Sequence, residues 1–347
     1  MSVKSAPISR VVRQGGFVLV LTLWVLVIVA IAAGYFSERV ARATQLANQS
    51  RQNAQAVIDM AGTRADILYR LSTTTMTEFG LGRGNATLYL DNRPYHGLGN
   101  SLVQLQDTRG LLGLNQTDDD RLQRFLGLLG IPAAQRGPMI DTLRDYIDAD
   151  KLHRLNGAES EAYLALNLPA PANKNLVTPW EAKRIIGWRN VPQLWQKNRL
   201  IELTTTGLSL GINPNTAPTE VLATLPGISE EIAQIIIERR KISPITHEGQ
   251  LVELTQMPMG LAPGTGVIAI PSDTIRITQS TQDNPWAIQY SLSLTPNSKE
   301  GPWRVDYYSR VSHPRHEEAR ADKLELPPRS TAPPDKAPAF LFGGTDR

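Results

Sequence analysis

The sequence contains no cysteine, which excludes disulfides, cysteine nucleophiles and thiolate metal sites. Aromatic residues make up only 6% of the 347 residues, whereas 24 prolines and 26 glycines predict many turns. An excess of one charge sign is also missing, because 36 basic and 33 acidic residues leave a net charge of only +3. The chain therefore lacks the broad basic excess typical of nucleic-acid-binding proteins. Its length allows two or three compact units.

Charge is absent from the stretch between Phe17 and Ser37. About 20 apolar residues suffice for a helix to cross the ~30 Å hydrocarbon layer of a membrane. Basic residues precede this stretch and Glu38 follows it, which predicts a cytoplasmic N terminus and a chain that otherwise lies outside the inner membrane. The alternative is a cleaved secretory signal peptide that ends at Ala30-Ile31-Ala32.

The residues before this stretch resemble a type IV prepilin leader, because basic residues lead into Gly15-Gly16-Phe17 and the apolar run starts directly after the glycine. The resemblance implies that prepilin peptidase cuts between Gly16 and Phe17, that Phe17 is N-methylated, and that the apolar segment stays in the mature chain. Most members of that family have glutamate as the fifth mature residue, where this chain has Leu21. A membrane-buried carboxylate costs about 2.5–3.5 kcal/mol unless a partner charge offsets it. A hydrophobic fifth residue is the trait of the K pseudopilin, and a degenerate major pilin is the alternative.

Beyond the apolar stretch, the pattern predicts one helix from Phe17 to about Leu71, since no Gly or Pro interrupts residues 35–61 and apolar residues recur at helical spacing. Alternation of apolar and polar residues then predicts short strands on both sides of a long helical segment. In the strand from Trp286, the polar residues Gln289, Ser291 and Ser293 are expected on a solvent-facing side. The predicted strands are Leu88–Asp91, Ser101–Asp107, Val267–Ile270, Thr274–Thr278, Trp286–Thr295 and Trp303–Val311.

The helical segment begins with a capping-box-like start at Thr117 and Asp120, and an apolar stripe follows. Further helices are predicted from about Pro132 to Ile147 and from Pro179 to Trp188. Between them stand Asp145-Tyr-Ile-Asp-Ala-Asp150, Asn156-Gly-Ala-Glu159 and Tyr163. These resemble the D-W-I-D-x-D…G-A-E…Y segment of the general secretion pathway protein K family, the minor pseudopilin K of the type II secretion system, with Tyr146 in place of the tryptophan.

Four acidic residues in this segment form a candidate metal site, namely Asp145, Asp148, Asp150 and Glu159. Calcium requires about six to eight oxygen ligands, and family members have been linked to calcium. The spacing does not follow an EF-hand loop, and helix capping with solvated acids is the alternative. Catalysis by paired carboxylates would need a nucleophile or a histidine base, which the segment does not supply.

A helix-hairpin-helix-like unit is centred on Pro226-Gly227-Ile228, with an isoleucine stripe at Ile232, Ile235 and Ile236 expected to hold its two helices together. Such turns can bind a DNA phosphate through backbone N–H groups, but Ser229 replaces the second glycine of the motif. Glutamates at 230 and 231 would also repel a phosphate. We therefore expect a structural or protein-contact role and no nucleic-acid partner.

Taken together, the resemblance implies an α+β fold in which a long N-terminal helix and a pilin-like small antiparallel sheet carry a large SAM-like and helix-hairpin-helix-like insertion. It implies a non-enzymatic subunit that caps the periplasmic pseudopilus and helps to initiate its assembly. Its expected partners are pseudopilins I and J, then H and the major pseudopilin, with prepilin peptidase and inner-membrane lipid. The alternatives are a membrane-tethered DNA-binding protein of a competence-type system and a periplasmic hydrolase.

The expected segments are a leader (1–16), the membrane and amphipathic helix (17–72), the first part of the head (73–115), two helical units (116–206 and 207–262), the head sheet (263–312) and a disordered Pro-rich tail (313–347).

Overall fold

The computed structural model describes residues 15–208, 211–256, 266–281, 286–312 and 324–328. The predicted leader, up to residue 14, and most of the predicted tail lie outside the described residues. The chain divides into two compact units, Met1–Val57 and Ile58–Arg347. Both hydrophobic cores belong to the second unit.

Helix α1 spans Gly15–Thr73 and confirms the predicted long helix. Its first part exposes nearly every large apolar side chain, with Phe17 75%, Leu21 54% and Trp24 63% exposed. Among the described residues, only α1 contains a stretch long and apolar enough to cross a membrane. Exposed apolar surface of this extent is unfavourable in water, so this part of α1 fits a single-pass membrane anchor.

The second unit contains a large sheet and two small ones. The strands are β1 Met76–Thr77, β2 Gly80–Leu81, β3 Asp91–His96, β4 Ser101–Asp107, β5 Leu112–Gly113, β6 Thr204–Thr205, β7 Thr274–Thr281, β8 Trp286–Leu294, β9 Trp303–Ser312 and β10 Leu324–Glu325. Six of them form the large sheet in the order β10-β3-β4-β7-β8-β9, and the two-stranded pairs are β1 with β2 and β5 with β6. All neighbours in the large sheet are antiparallel except β10 and β3.

Four of the six predicted strands are confirmed, those that correspond to β4, β7, β8 and β9. The other two predictions are wrong. Leu88 forms only an isolated bridge with Leu81, and β3 starts at Asp91. Val267 forms only a single bridge, with Ile212, because this segment connects the helical insertion to β7.

One face of the large sheet packs against the last turns of α1. Ile67 and Leu71 bury against apolar residues of the central strands, among them Val103, Ile277 and Tyr290. Polar contacts fix the register, since the buried Thr63 hydroxyl lies 2.6 Å from that of Ser101 and accepts a hydrogen bond from the Leu98 N–H. The small antiparallel sheet on a long helix confirms the predicted α+β class.

The opposite face of the sheet was predicted to meet solvent, and that prediction is wrong. Gln289 and Ser291 are 0% and 4% exposed. Beside them lies Arg276, 1% exposed, whose guanidinium donates to the carbonyls of Ile201 and Glu202 at 2.6 and 2.8 Å. The helical insertion therefore covers this face through a buried polar layer, which alternation in a single strand does not reveal.

The helical insertion leaves the sheet after β4 and returns before β7. Its helices share one hydrophobic core that runs from Leu112 to Leu251, so the two predicted helical units pack together. The parallel pairing of β5 with β6 brings the start of the insertion beside the end of its first half. The helices are α2 Asp119–Leu128, α3 Ala133–Ile147, α4 Ser160–Ala165, α5 Pro192–Trp195, α6 Arg199–Leu203, α7 Thr219–Leu222, α8 Glu230–Ile242 and α9 Glu248–Thr255.

Two helix boundaries differ from the predictions. Asp118, not Thr117, caps α2, because its carboxylate accepts from the Arg121 N–H at 2.8 Å. The helix predicted from Pro179 to Trp188 is a 3-10 helix that ends at Arg184. The apolar stripe of α2 is confirmed, since its members are fully buried: Leu122, Phe125, Leu126 and Leu129.

Part of the segment predicted as a disordered tail is ordered. Strand β10 pairs in parallel with β3, with Leu324 opposite Tyr95, and Leu326 packs on the sheet core. The prediction of disorder is therefore wrong for residues 324–328. The rest of the tail lies outside the described residues.

Candidate functional sites

The predicted processing site lies at the start of α1. The helix begins at Gly15, so the Gly16–Phe17 bond belongs to its first turn. Leu21 lies on the exposed apolar surface of the same helix, and the described residues around it are uncharged up to Glu38.

The four predicted calcium ligands lie around the end of α3 and the loop that leads to α4. Asp145 is fully buried, and its carboxylate accepts from the Arg154 N–H at 3.1 Å. Gly157 packs so close to the Asp145 carboxylate that a Cβ there would overlap it, which explains the glycine of the G-A-E segment. Asp148 and Glu159 are half-buried, and Asp150 is exposed.

The four acids lie near enough for their charges to influence the pKa values of Asp148 and Glu159. Burial, followed by the charges of Asp150 and Asp145, raises the pKa of Asp148 above its ordinary value. Burial, followed by the charges of Asp145, Asp148 and Asp150, raises the pKa of Glu159. The neighbouring acids therefore oppose ionisation of Asp148 and Glu159, and the charge of Arg154 offsets part of this repulsion at Asp148.

Buried oxygens without hydrogen-bond partners concentrate in the same place. They comprise Oδ1 of Asp148, both carboxylate oxygens of Glu159 and Oδ1 of Asn173. Asn173 is a residue that the sequence analysis did not identify as a ligand. Its amide donates to the Asp150 carbonyl at 2.9 Å, which holds the side chain beside the acids.

These observations test whether the site fits calcium. Unpartnered buried oxygens are costly unless a cation or water satisfies them, and oxygen is the ligand that calcium prefers. In the described part of the chain, no three acidic or histidine side chains stand close enough together to coordinate one ion directly. The carboxylate and amide oxygens of this cluster are ligands of the type that calcium binds. Because the acids stand too far apart to coordinate one ion directly, their side chains would have to move closer together to bind it.

Three aromatic side chains pack in the core beside the acidic cluster, namely Tyr146 and Tyr163 of the motif and Trp188. Tyr146 and Tyr163 lie with ring centroids 6.1 Å apart, and the Tyr163 hydroxyl accepts from the Ile186 N–H at 3.2 Å. Trp188 is fully buried and its indole donates to the Met139 carbonyl at 2.8 Å. The helix that carries the acids is therefore tied to the 184–190 loop.

The hairpin unit has the predicted turn. Gly227 has φ +74, a conformation that favours glycine, and Ile228 is buried. Ser229 caps α8, since its hydroxyl accepts from the Ile232 N–H at 3.3 Å. Ile235 was predicted to lock the hairpin, and this is wrong, because it is 53% exposed and Ala233 takes the buried position.

Two of the three basic residues in the last turn of α8 have partners within the chain, and the third, Arg239, is exposed. Arg240 donates to the carbonyls of Pro214 and Ala217 at 2.8 and 2.6 Å, and burial lowers its pKa. Lys241 pairs with Glu238 at 2.7 Å. Arg240 is therefore part of the packing of the hairpin unit, and Lys241 forms a surface ion pair within α8.

The residue with the most buried polar contacts, Asp107, was not identified from the sequence. It is fully buried at the end of β4. One carboxylate oxygen accepts from the Arg109 N–H and from the N–H and hydroxyl of Ser272 at 2.7–3.0 Å. The other accepts from the Asn213 amide and the Thr216 hydroxyl, both at 2.9 Å. Asp107 thus joins the end of β4 to the segment before α7 and to the segment before β7, and it explains the Asn213-Pro-Asn-Thr216 sequence.

Comparison with known proteins places these features in context. Two family models, both described as type II secretion system (T2SS), protein K, match residues 100–196 and 212–259. These ranges contain the acidic cluster and the hairpin unit. No curated protein sequence matches the chain.

A solved structure also resembles this fold. It is a chain of the GspK-GspI-GspJ complex from the enterotoxigenic Escherichia coli type 2 secretion system, with a TM-score of 0.51 and 16% sequence identity. The similarity covers 79% of this chain and 99% of that chain. At this identity, the likeness establishes the α+β fold with its helical insertion.

Proposed function

We propose, from the premise that this chain belongs to the family of type II secretion system protein K, that it caps the tip of the periplasmic pseudopilus and helps to initiate its assembly. The chain is accordingly a T2SS minor pseudopilin, a structural component of a secretion system. The single observation that best supports the tip position is Leu21, which stands where filament subunits carry a membrane-buried glutamate. Without that carboxylate, the helix has no charge with which to pair with the N terminus of another subunit.

The proposed topology follows from α1. Basic residues before Phe17 favour a cytoplasmic N terminus, so that the unit from Ile58 onward lies in the periplasm. We propose cleavage after Gly16 and methylation of Phe17 by prepilin peptidase. The role is assembly through surfaces, and we assign no catalytic residue.

Pseudopilins I and J are the proposed direct partners. The solved neighbour is a complex named for GspK, GspI and GspJ, and the exposed apolar side chains of α1 offer a surface for parallel helices within the bilayer.

Cysteine crosslinking tests this arrangement, because the chain has no native cysteine. We expect Leu21→Cys and Trp24→Cys variants to form disulfide-linked adducts with cysteines placed in the N-terminal helices of pseudopilins I and J in native membranes. Lys299→Cys, in the exposed turn between β8 and β9, serves as the control and should give no such adduct. If neither helix variant is trapped with I or J, the proposed partners are wrong.

We also propose that the acidic cluster binds calcium. Asp148, Asp150, Glu159 and Asn173 would supply oxygen ligands, with Asp145 adding negative charge behind them. Calcium would satisfy the unpartnered oxygens and remove the repulsion among the acids. It would also fix the short helix α4 that follows Glu159.

The Asp148→Asn variant should have opposite effects with and without calcium. In EDTA the variant should be more stable than the wild type, because it removes one repelling charge. At a calcium concentration 100 times the dissociation constant, the wild type should gain about 2.7 kcal/mol, and the variant should lose most of that gain. Thermal unfolding of the full chain in detergent measures both. Magnesium is the control ion, and equal stabilisation of the two proteins by calcium would contradict the proposal.

The pH dependence of folding stability gives an independent test of calcium binding by the acidic cluster. In EDTA, the raised pKa values of Asp148 and Glu159 mean that the folded state binds more protons than the unfolded state. Their contribution to stability should therefore fall as pH rises from about 4, the ordinary value for these acids, through the raised pKa values. With calcium bound the sign should reverse. The difference between the wild type and a double Asp148→Asn, Glu159→Gln variant isolates this contribution.

A further inference from the structure

An apolar groove lies between the end of α4 and the 184–190 loop. Its volume is about 370 Å³, and its apolar lining comes from Leu166, Leu168, Pro169 and Ile186. Leu166 is 58% exposed, and the neighbouring Leu164 is 66% exposed. Apolar side chains exposed together around a concave site mark a contact surface more often than scattered single residues do.

The groove is preformed by contacts beneath it. Ile185 and Trp188 are fully buried below the loop, and the Ile186 N–H bonds to the Tyr163 hydroxyl on α4. Gly187 has φ +85, which lets the chain turn at this point. Both walls are therefore held before any ligand binds, which lowers the entropic cost of binding.

Three cations line the same groove, namely Lys183, Arg184 and Arg189. The Lys183 ammonium lies 4.8 Å from the ring centroids of both Trp180 and Trp195, so cation–π contacts hold it in place. None of the three cations forms an ion pair with a carboxylate in the ranges that the structure describes. The groove thus combines apolar surface with three cations, of which Arg184 also hydrogen-bonds with the Tyr146 hydroxyl.

We infer that this groove binds an extended peptide segment of a partner protein, in which apolar side chains alternate with acidic ones. The apolar side chains would enter between Leu166 and Ile186, and the carboxylates would pair with Lys183, Arg184 and Arg189. Arginine suits this role, because its planar guanidinium binds carboxylates through paired hydrogen bonds.

An anionic membrane surface is less favoured by the surrounding charges. Glu161 on α4 is exposed, Glu181 lies in the turn before Arg184, and the acidic cluster precedes α4. These acids would repel a broad anionic surface, whereas a narrow peptide can contact the cations alone. This contact surface is separate from α1, so it adds a second interaction to the proposed assembly role.

A fluorescein-labelled Asp-Leu-Asp-Leu-Asp-Leu peptide tests the inference with the full chain in non-ionic detergent. Fluorescence anisotropy should show saturable binding that weakens with salt, and that falls at least tenfold for an Asn-Leu repeat and for an Asp-Ser repeat. The Lys183→Glu, Arg189→Glu double variant should also bind at least tenfold more weakly. Lys299→Glu, an exposed cation elsewhere, should bind as the wild type does.

Two results would overturn the inference. One is equal affinity of the wild type and the double variant for the acidic peptide. The other is binding to phosphatidylglycerol vesicles that the double variant loses while no peptide binds, which would identify a membrane contact. The α1 crosslinks to pseudopilins I and J should persist in the double variant, so failure of the groove and failure of the assembly role can be told apart.

Discussion

Replacing Asp107 by asparagine should lower the free energy of unfolding of the unit from Ile58 onward by roughly 3–5 kcal/mol, since hydrogen bonds to a buried charged group contribute about 1.5–3 kcal/mol each. The carboxylate accepts from five donors, and no described residue forms an ion pair with it. An ionised carboxylate only accepts hydrogen bonds, which matches a site formed by donors.

Asparagine cannot reproduce this pattern, although its shape is nearly the same. Whichever way its amide turns, the NH₂ group meets N–H donors, either the backbone N–H groups of Arg109 and Ser272 or the Asn213 amide. At least one N–H donor then loses its acceptor inside the fold. Because these donors join the sheet to the helical insertion, the loss should also loosen the contact between them.

Urea unfolding followed by tryptophan fluorescence measures this effect. The matched control is Asp120→Asn, an exposed acid in the first turn of α2, which should change stability by less than about 0.5 kcal/mol. If Asp107→Asn were no more destabilising than Asp120→Asn, the buried carboxylate would not be the structural junction described above.

Replacing Trp188 by alanine should destabilise the helical insertion by about 3–5 kcal/mol, the range typical of a fully buried aromatic side chain. Trp188 is fully buried, and its indole fills the core behind the 184–190 loop. Its removal leaves a cavity and deprives the Met139 carbonyl of its indole donor. The groove formed by this loop should therefore lose its fixed shape.

The Trp188→Phe variant separates the contribution of the buried ring from that of the hydrogen bond to the Met139 carbonyl. This variant keeps most of the buried ring but loses the hydrogen bond to Met139, and it should cost only about 1–2 kcal/mol. Urea unfolding followed by far-UV circular dichroism measures both variants without relying on this tryptophan. A loss below about 1 kcal/mol for Trp188→Ala would show that the loop is not anchored through this side chain.

Sequence patterns correctly predicted the helices and strands that are determined by residues close together in the chain. The long helix is set by an uninterrupted apolar run, and β4 coincides with its predicted bounds, Ser101–Asp107. The first helices of the insertion follow from their apolar stripes and from Pro132, which stands just before α3. In these cases the residues that decide the structure are neighbours in the chain.

Features that depend on distant parts of the chain were missed. Gln289 and Ser291 alternate as residues of an exposed face do, but the insertion covers this face, where the Glu202 carboxylate accepts from Gln289 and from Arg276 of β7. Ile235 fits a helical stripe, although Ala233 and Ile236 take the buried positions of α8. Tertiary packing overrides periodicity at these positions.

The candidate site was found only in part. The acids of the D-x-x-D-x-D segment are visible as a cluster, whereas Asn173 lies far along the sequence and shows no motif of its own. Asp107 gives no local signal, because its five donors come from residues 109, 213, 216 and 272. Only a three-dimensional arrangement reveals that these side chains meet.

N-terminal sequencing of the mature protein purified from membranes tests the central claim most directly, because assembly as a pseudopilin requires the apolar part of α1 to remain in the chain. The account predicts a single mature start at an N-methylated Phe17, with the protein retained in the inner membrane. A start at Ala33, with release of the remaining chain from the membrane, would contradict it.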